Sequence, residues 1–203
     1  MTESRRSIDP ERTALLVVDY QPVVFGSLSD AEELLSRVAE AIAIVRRHRG
    51  HVGYVRVAFD DADYEAVPEL SAFAPVLRTA REVFHSDSPA TGIHERVAPE
   101  PGDIIVRKTR VGAFSTTDLA ERLHDRAIAT LILAGVSTSG VVLSTVRDAA
   151  DRDYRVFVLA DATADPEPGV HDFLTERVFP RQAQVITVAQ LDGLLSGTDA
   201  RST

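Results

Sequence analysis

Residues 131–150 read Leu131-Ile-Leu-Ala-Gly135-Val-Ser-Thr-Ser-Gly140-Val-Val-Leu-Ser-Thr145-Val-Arg-Asp-Ala-Ala150, and their order decides the fold. Leu131 to Ala134 is a short apolar run of the kind that forms a buried strand. A tight small-residue turn follows from Gly135 to Gly140, and then a helix through Asp148 and Ala149. Open α/β sheets place ligands with such a strand, turn and helix, at the carboxyl ends of strands and facing helix N-termini.

The flanking chain repeats the same alternation. Thr13 to Val18 is a continuous apolar, β-branched run, as expected of a strand buried on both faces in a parallel sheet. It stops at Asp19-Tyr-Gln-Pro22. Ser29 or Asp30 is positioned to cap a helix reaching about Arg49, with Leu34, Leu35, Val38, Ile42 and Val45 at helical spacing and Gly50 closing it. Val52 to Ala58 is a second strand, completing a β-α-β unit. Periodicity is poor from Phe59 to Pro101, where the reading is a helix within 68–81 and a loop over 86–92. Further strands are expected at 104–106, 129–134, 154–160 and 185–187. Helices are expected at 119–124, from 165–169 to about 178, and at 188–195, before a polar, frayed tail over 197–203. No repeat or interdomain linker interrupts this. The expectation is one α/β domain over 1–203, a doubly wound, Rossmann-like three-layer sandwich with a mainly parallel six-stranded sheet.

Composition narrows the function. A net charge of −9 argues against nucleic acid or an anionic membrane as partner. No apolar run approaches the ~18 residues of a transmembrane helix. The first ten residues carry Arg5 and Arg6 without an apolar segment after them, so they do not read as a signal peptide, and a cytoplasmic location is expected. The chain has no cysteine, which excludes disulfides, thiolate metal sites and a Cys nucleophile together. It also has a single lysine, Lys108, against 21 arginines. A surface lysine in so Arg-biased a chain would tolerate Arg, whereas a compact ammonium with a tunable pKa has no Arg equivalent.

Asp19 follows a buried strand directly, and Lys108 lies just beyond a short one, so both fall on one rim of the sheet. A lone Asp there is most often an Asx turn or a cap. A lone Lys is most often solvated. Neighbouring motifs shift both readings. Gly135, Val136, Thr138, Val142, Thr145, Asp148 and Ala149 form G-V-x-T-x-x-x-V-x-x-T-x-x-D-A. Asp19-x-Gln21 is followed by Phe25, and Lys108-x-Arg110-x-x-Ala113-Phe114 carries Gly112 in a small-residue slot. Together these resemble the isochorismatase-like hydrolases, also called cysteine hydrolases, over roughly residues 11–195. The resemblance implies Asp19 as proton carrier, Lys108 as its electrostatic partner, and a pocket lined by Gln21, Phe25, Phe59, Gly112, Phe114, Val136, Ser137, Ser139, Gly140 and Val141. It also implies a peptide before Ser137 that is often cis, and assembly as a homodimer or homotetramer.

The departure is at Val141, which stands where most of the family has its catalytic Cys. The acyl-enzyme route of nicotinamidases and N-carbamoyl amidases is therefore closed. Family members that lack the Cys, the true isochorismatases, cleave a vinyl ether with Asp as general acid and water adding to the oxocarbenium. A Lys nearby lowers an Asp pKa, so desolvation by Phe25, Phe59, Phe114 and Val141 has to outweigh it. Isochorismatases also carry a Gln-Pro-Gly segment after the second strand and an aromatic in the slot of Ser137. This chain has Ala58-Phe-Asp-Asp-Ala-Asp-Tyr64 and a serine there, which speaks against isochorismate itself. Nicotinamidases bind zinc through D-x-H and a further His, whereas Asp60 to Asp63 holds acids without His. His85 and His94 are isolated, so neither metal nor cofactor is expected and the acidic segment reads as a solvated loop.

Three readings compete: a Cys-independent hydrolase or lyase of a small organic substrate using Asp19 and Lys108; a non-catalytic binding or scaffold protein; and an amidase with a displaced serine such as Ser139. Ser137, Thr138, Ser139 and Ser144 offer hydroxyls, but no His lies near them in sequence to act as base. Among nearby arginines, Arg56, Arg107 and Arg110 are candidates to hold a substrate carboxylate.

Overall fold

The computed structural model describes residues 8–26, 28, 31–71 and 74–197. Six strands form one all-parallel sheet: β1 (Thr13–Val18), β2 (His51–Val57), β3 (Ile104–Lys108), β4 (Thr130–Val136), β5 (Arg155–Ala164) and β6 (Gln184–Ile186), in the order β3-β2-β1-β4-β5-β6. That order reverses between β1 and β4, so the crevice at their carboxyl ends is the topological switch point. The expected doubly wound architecture is present.

Two apolar layers cover the sheet. On one face α2 (Ala31–Arg47) and α9 (Val188–Ser196) bury Leu35, Val38, Val45, Leu191 and Leu195 against Leu15, Val17 and Ile132. On the other, α6 (Leu119–Asp125) and α7 (Leu143–Asp151) bury Leu119, Leu123, Val146 and Ala149 against Leu16, Val18, Val106 and Leu133. β1 is buried along its whole length, which explains its unbroken apolar run. Gly135 lets β4, β1 and α7 approach: a Cβ there would lie 2.2 Å from Val18 Cγ2 and 2.8 Å from Val142 Cγ2.

Several expectations are corrected. The second strand stops at Val57, one residue early, while β5 extends to Ala164, past a register shift opposite Leu133 and Gly135. The helix placed within 68–81 divides into α4 (Ala74–Thr79) and α5 (Arg81–Phe84). The acidic segment is not a loop: it builds α3 (Asp61–Ala66), with Asp60 and Asp63 forming a capping box. Carboxylates at a helix start meet unpaired amides and the positive end of its dipole, a local gain that hydropathy does not register. The short α1 (Pro22–Phe25) was also not foreseen, although Pro at its first position suits a helix start. The cap assigned to Ser29 or Asp30, and residues 198–203 of the tail, lie outside the described residues. Among the described residues no helix is long and apolar enough to cross a membrane.

Candidate active site

Asp19 leaves β1 with φ at +56°, in the left-handed region that few non-glycine residues occupy. Two backbone bonds fix it there: Asp19 N–H donates to Val55 O at 2.8 Å, and Gln21 N–H to Asp19 O at 2.8 Å. Its side chain meets Lys108, the last residue of β3, with Nζ 2.9 Å from Oδ2. Both are buried, at 5% and 2% exposure, so this is no surface ion pair. Lys108 Nζ also donates to Arg110 O at 3.1 Å. Asp19 Oδ1, though buried, has no hydrogen-bond partner among the described residues.

This combination sets the proton affinity of Asp19. Burial raises its pKa above the ordinary carboxylate value. The Lys108 charge and hydrogen bond pull it down, with a smaller pull from the Val57 amide, but burial prevails. The carboxyl therefore holds its proton to higher pH than a solvated Asp, as a general acid requires.

Gln21, expected against substrate, is committed elsewhere. Its Nε2 donates to Val57 O at 3.0 Å and Thr91 O at 2.6 Å, and its Oε1 accepts from Val57 N–H at 2.8 Å. It braces the end of β1 to the end of β2 from a buried position. Phe25 packs edge-on against Tyr20 and His94, and Phe59 stacks on Tyr64. Phe114 is a correction. It stacks on Tyr154 and beneath Arg152. Tyr154 precedes β5, whose first residue is in register with the starts of β4 and β1, so that ring lies at the sheet edge opposite Asp19. The loop after β3 runs down α7, with Gly112 beside Ser144 and Ala113 N–H bonded to Thr145 Oγ1, carrying Phe114 away from the rim.

The turn after β4 contains the cis peptide Val136-Ser137. A π-helical turn over Thr138–Val142 then leads into α7. Val136 and Val141 are buried. Ser137 Oγ accepts from Gly140 N–H at 3.1 Å, and the Ser139 amide donates to Asp165 Oδ2 at 2.7 Å. Sequence reasoning missed His171, on α8 (Val170–Phe173), whose Nδ1 lies 2.9 Å from Thr138 Oγ1. Burial lowers the His171 pKa, opposed by Asp172 and Asp165. It stands 33 residues from Thr138, so only knowledge of how β5 leads into α8 could have paired them. Of the candidate arginines, Arg107 is spent on Asp60 and Asp63, while Arg56 donates to Thr91 O. No group of three His, Cys, Asp or Glu among the described residues is placed to hold a metal ion.

A buried Asp in contact with a buried ammonium thus lies at the switch point of a doubly wound parallel sheet. The isochorismatase domain model matches residues 13–190, and the chain belongs to the isochorismatase family. It is 35% identical over 193 residues to the phenazine biosynthesis protein PhzD of Pseudomonas fluorescens, covering 91% of this chain and 86% of that one. It is 30% identical over 182 residues to the ureidoacrylate amidohydrolase RutB of Methylobacterium radiotolerans, covering 80% and 70%. Among solved structures it resembles an isochorismatase family protein from Burkholderia thailandensis, with a TM-score of 0.80, 25% identity and coverage of 94% and 98%. It also resembles N-carbamoylsarcosine amidase from Thermoplasma acidophilum, with a TM-score of 0.71, 26% identity and coverage of 87% and 96%. Relatives in the family are named hydrolases, and this chain is an isochorismatase-family hydrolase whose sequence contains no cysteine.

Proposed function

We propose that this protein hydrolyses a small organic substrate at a vinyl-ether or related C–O or C–N bond, without a nucleophilic side chain. The observation that carries the reading is the buried contact of 2.9 Å between Asp19 and Lys108, with Asp19 Oδ1 left unpartnered. In this reading Asp19, whose proton affinity burial raises, delivers a proton to the substrate carbon of a vinyl ether. The oxocarbenium so formed takes up water, the resulting hemiketal separates into alcohol and ketone, and the proton released returns to Asp19. Lys108 stays on Oδ2 and stabilises the carboxylate that exists between the two transfers. The hydroxyls of the turn do not supply a better route. The one bonded to an imidazole is Thr138, which is fully buried, whereas Ser139 is exposed and only its amide is engaged.

A retired, ligand-binding scaffold is the competing reading, and the buried Val141 in the nucleophile position favours it. We further propose a cytoplasmic enzyme that assembles with copies of itself. Leu70, Val76 and Val83, exposed at 99%, 44% and 45% along one stretch, offer apolar surface for that contact. The test is turnover of a panel of enol ethers, ureido acids and N-carbamoyl amino acids in H2(18)O, read by mass spectrometry. Incorporation of one labelled oxygen, with a rate loss of about a hundredfold or more in Asp19→Asn, is the expected result. No turnover of any member would leave the scaffold reading, and an undiminished rate in Asp19→Asn would remove Asp19 from the chemistry.

A further inference from the structure

The turn after β4 is held from outside as well as from within. Val18 is in register with Gly135, so Asp19 and the turn over 137–142 leave neighbouring strands side by side. Thr138 in that turn is fully buried, and its hydroxyl has one partner among the described residues, His171 Nδ1 at 2.9 Å. β5 supplies the route by which this partner arrives. Its end pairs Thr163 with Gly135 and Ala164 with Val136, and Gly135 N–H donates to Thr163 Oγ1 at 3.3 Å. Asp165 follows at once: its Oδ2 accepts from the Ser139 amide at 2.7 Å and its Oδ1 from the Glu167 amide at 3.1 Å. Gly169, with φ at +77°, then turns the chain into α8, which brings His171 back to the turn.

The polarity of the contact follows from what each group has to satisfy. With the imidazole neutral and its proton on Nε2, the Thr138 hydroxyl donates to Nδ1 and neither group is left wanting. Burial favours that neutral form by lowering the His171 pKa, against the opposing pull of Asp172 and Asp165. Those two carboxylates are the charges that face the ring, one from its own helix and one from the connection after β5. The turn packed against it, residues 138–142, brings hydroxyls, a glycine and valines but no charge, and Glu176 and Arg177 of the turn that continues α8 are exposed. A protonated imidazole carries N–H at both nitrogens. Nδ1 then ceases to accept, and the Thr138 proton is left in a fully buried place with nothing to take it.

We infer that His171 is a positioning residue of the site: as a neutral acceptor it holds Thr138, and through Thr138 the turn beside Asp19, and taking up a proton slackens that turn. This rests on the turn and the Asp19–Lys108 pair forming one reaction site. The test is NMR on protein carrying (15)N throughout and (13)C in its single lysine, followed from pH 5 to 8. The Ser139 and Gly140 amides and the Lys108 Cε resonance are expected to share one step, with a midpoint below the ordinary histidine value of 6.5. Asp172→Asn removes a carboxylate that favours the charged ring, so the shared midpoint moves to lower pH. His171→Asn, whose side-chain carbonyl stands in for Nδ1, abolishes the step and keeps the turn closed. His171→Leu and Thr138→Val raise hydrogen exchange at the Ser139 and Gly140 amides about tenfold at pH 7.5, with the β1 amides of Leu15 to Val18 unchanged.

Thr138→Val also separates positioning from a mere field effect, because His171 still gains its charge there while the hydroxyl is gone. The inference is overturned if the full step survives in Thr138→Val or in His171→Asn, or if Lys108 Cε shows no step at the midpoint of the turn. It is also overturned if exchange in His171→Leu and Thr138→Val stays within about twofold of the parent. None of these readings needs turnover. A turn that follows His171 in a protein inert to the whole substrate panel would sink the proposed reaction and leave this inference standing. Turnover that depends on Asp19, in a protein whose turn is indifferent to His171, would do the reverse.

Discussion

Replacing Lys108 with Met leaves the Asp19 carboxylate buried without its counter-charge, and the consequences follow from the geometry. At the observed separation of 2.9 Å, and an effective dielectric of about 20, the pair attracts by roughly 5–6 kcal/mol. Desolvating each ion costs several kcal/mol, so the intact pair contributes little net stability. Removing one partner is different, because the loss of a single member of a buried pair typically costs about 3–5 kcal/mol. The folded-state pKa of Asp19 is already raised by burial, and in Lys108→Met it rises further. A raised carboxyl contributes stability fully below its unfolded value, and that contribution is lost as pH rises through the folded value. The variant is therefore expected to lose stability steadily above about pH 4, with a slope of up to about 1.4 kcal/mol per pH unit. The parent slopes the same way over a narrower window. Asp19→Asn with Lys108→Met removes both charges and recovers most of the loss. Urea unfolding midpoints at pH 5, 6, 7 and 8 read all three. A loss below about 1 kcal/mol at pH 7 in Lys108→Met, or one that fails to shrink as pH falls, would refute this account of the pair.

Other perturbations isolate the supports around it. Gln21→Leu strips partners from the Val57 amide and from the Val57 and Thr91 carbonyls, and is expected to cost about 2–4 kcal/mol by urea unfolding. Gly135→Ala drives a methyl into Val18 and Val142. A loss of at least about 1–3 kcal/mol is expected, partly relieved in the same thermal melt by adding Val18→Ala. His171 has a depressed pKa, so the stability it lends is present above about pH 6.5 and lost as pH falls through the folded value. His171→Asn should flatten the stability profile below pH 6.5, and an unchanged profile would show that burial does not govern that imidazole.

The strands were legible because parallel-sheet strands buried on both faces are written as unbroken apolar runs, and Thr13 to Val18 is found with those same ends. Asp19 and Lys108 were legible for a related reason: a charged residue directly after such a run must lie on the rim. Phe114 was not. Its motif gives its distance along the chain from Lys108, but not the direction in which the loop descends α7, and that direction is set by the bond from Ala113 to Thr145. The role of Gln21 was hidden similarly, since its partners lie 36 and 70 residues away. His171 and Asp165 reach the turn only because β5 runs on past its expected end at residue 160. In each case, local pattern set what a residue is and long-range packing set what it touches.

The solitary lysine has a structural reason in the seat it fills. Lys108 is 2% exposed, and two acceptors stand within reach of Nζ: Asp19 Oδ2 at 2.9 Å and Arg110 O at 3.1 Å. An ammonium brings three donors to that seat and a guanidinium five. Arginine would therefore leave up to three N–H groups without partners, at roughly 1–3 kcal/mol each, besides forcing extra atoms into a filled space. A compositional bias that has turned nearly every other basic position to arginine meets a physical limit here. The third ammonium donor and Asp19 Oδ1 are what remain unsatisfied among the described residues, and they are the polar atoms the pair leaves open to an incoming molecule. The same Nζ also fixes the carbonyl of Arg110 at 3.1 Å, so the loop after β3 is tied to the seat that the lysine fills.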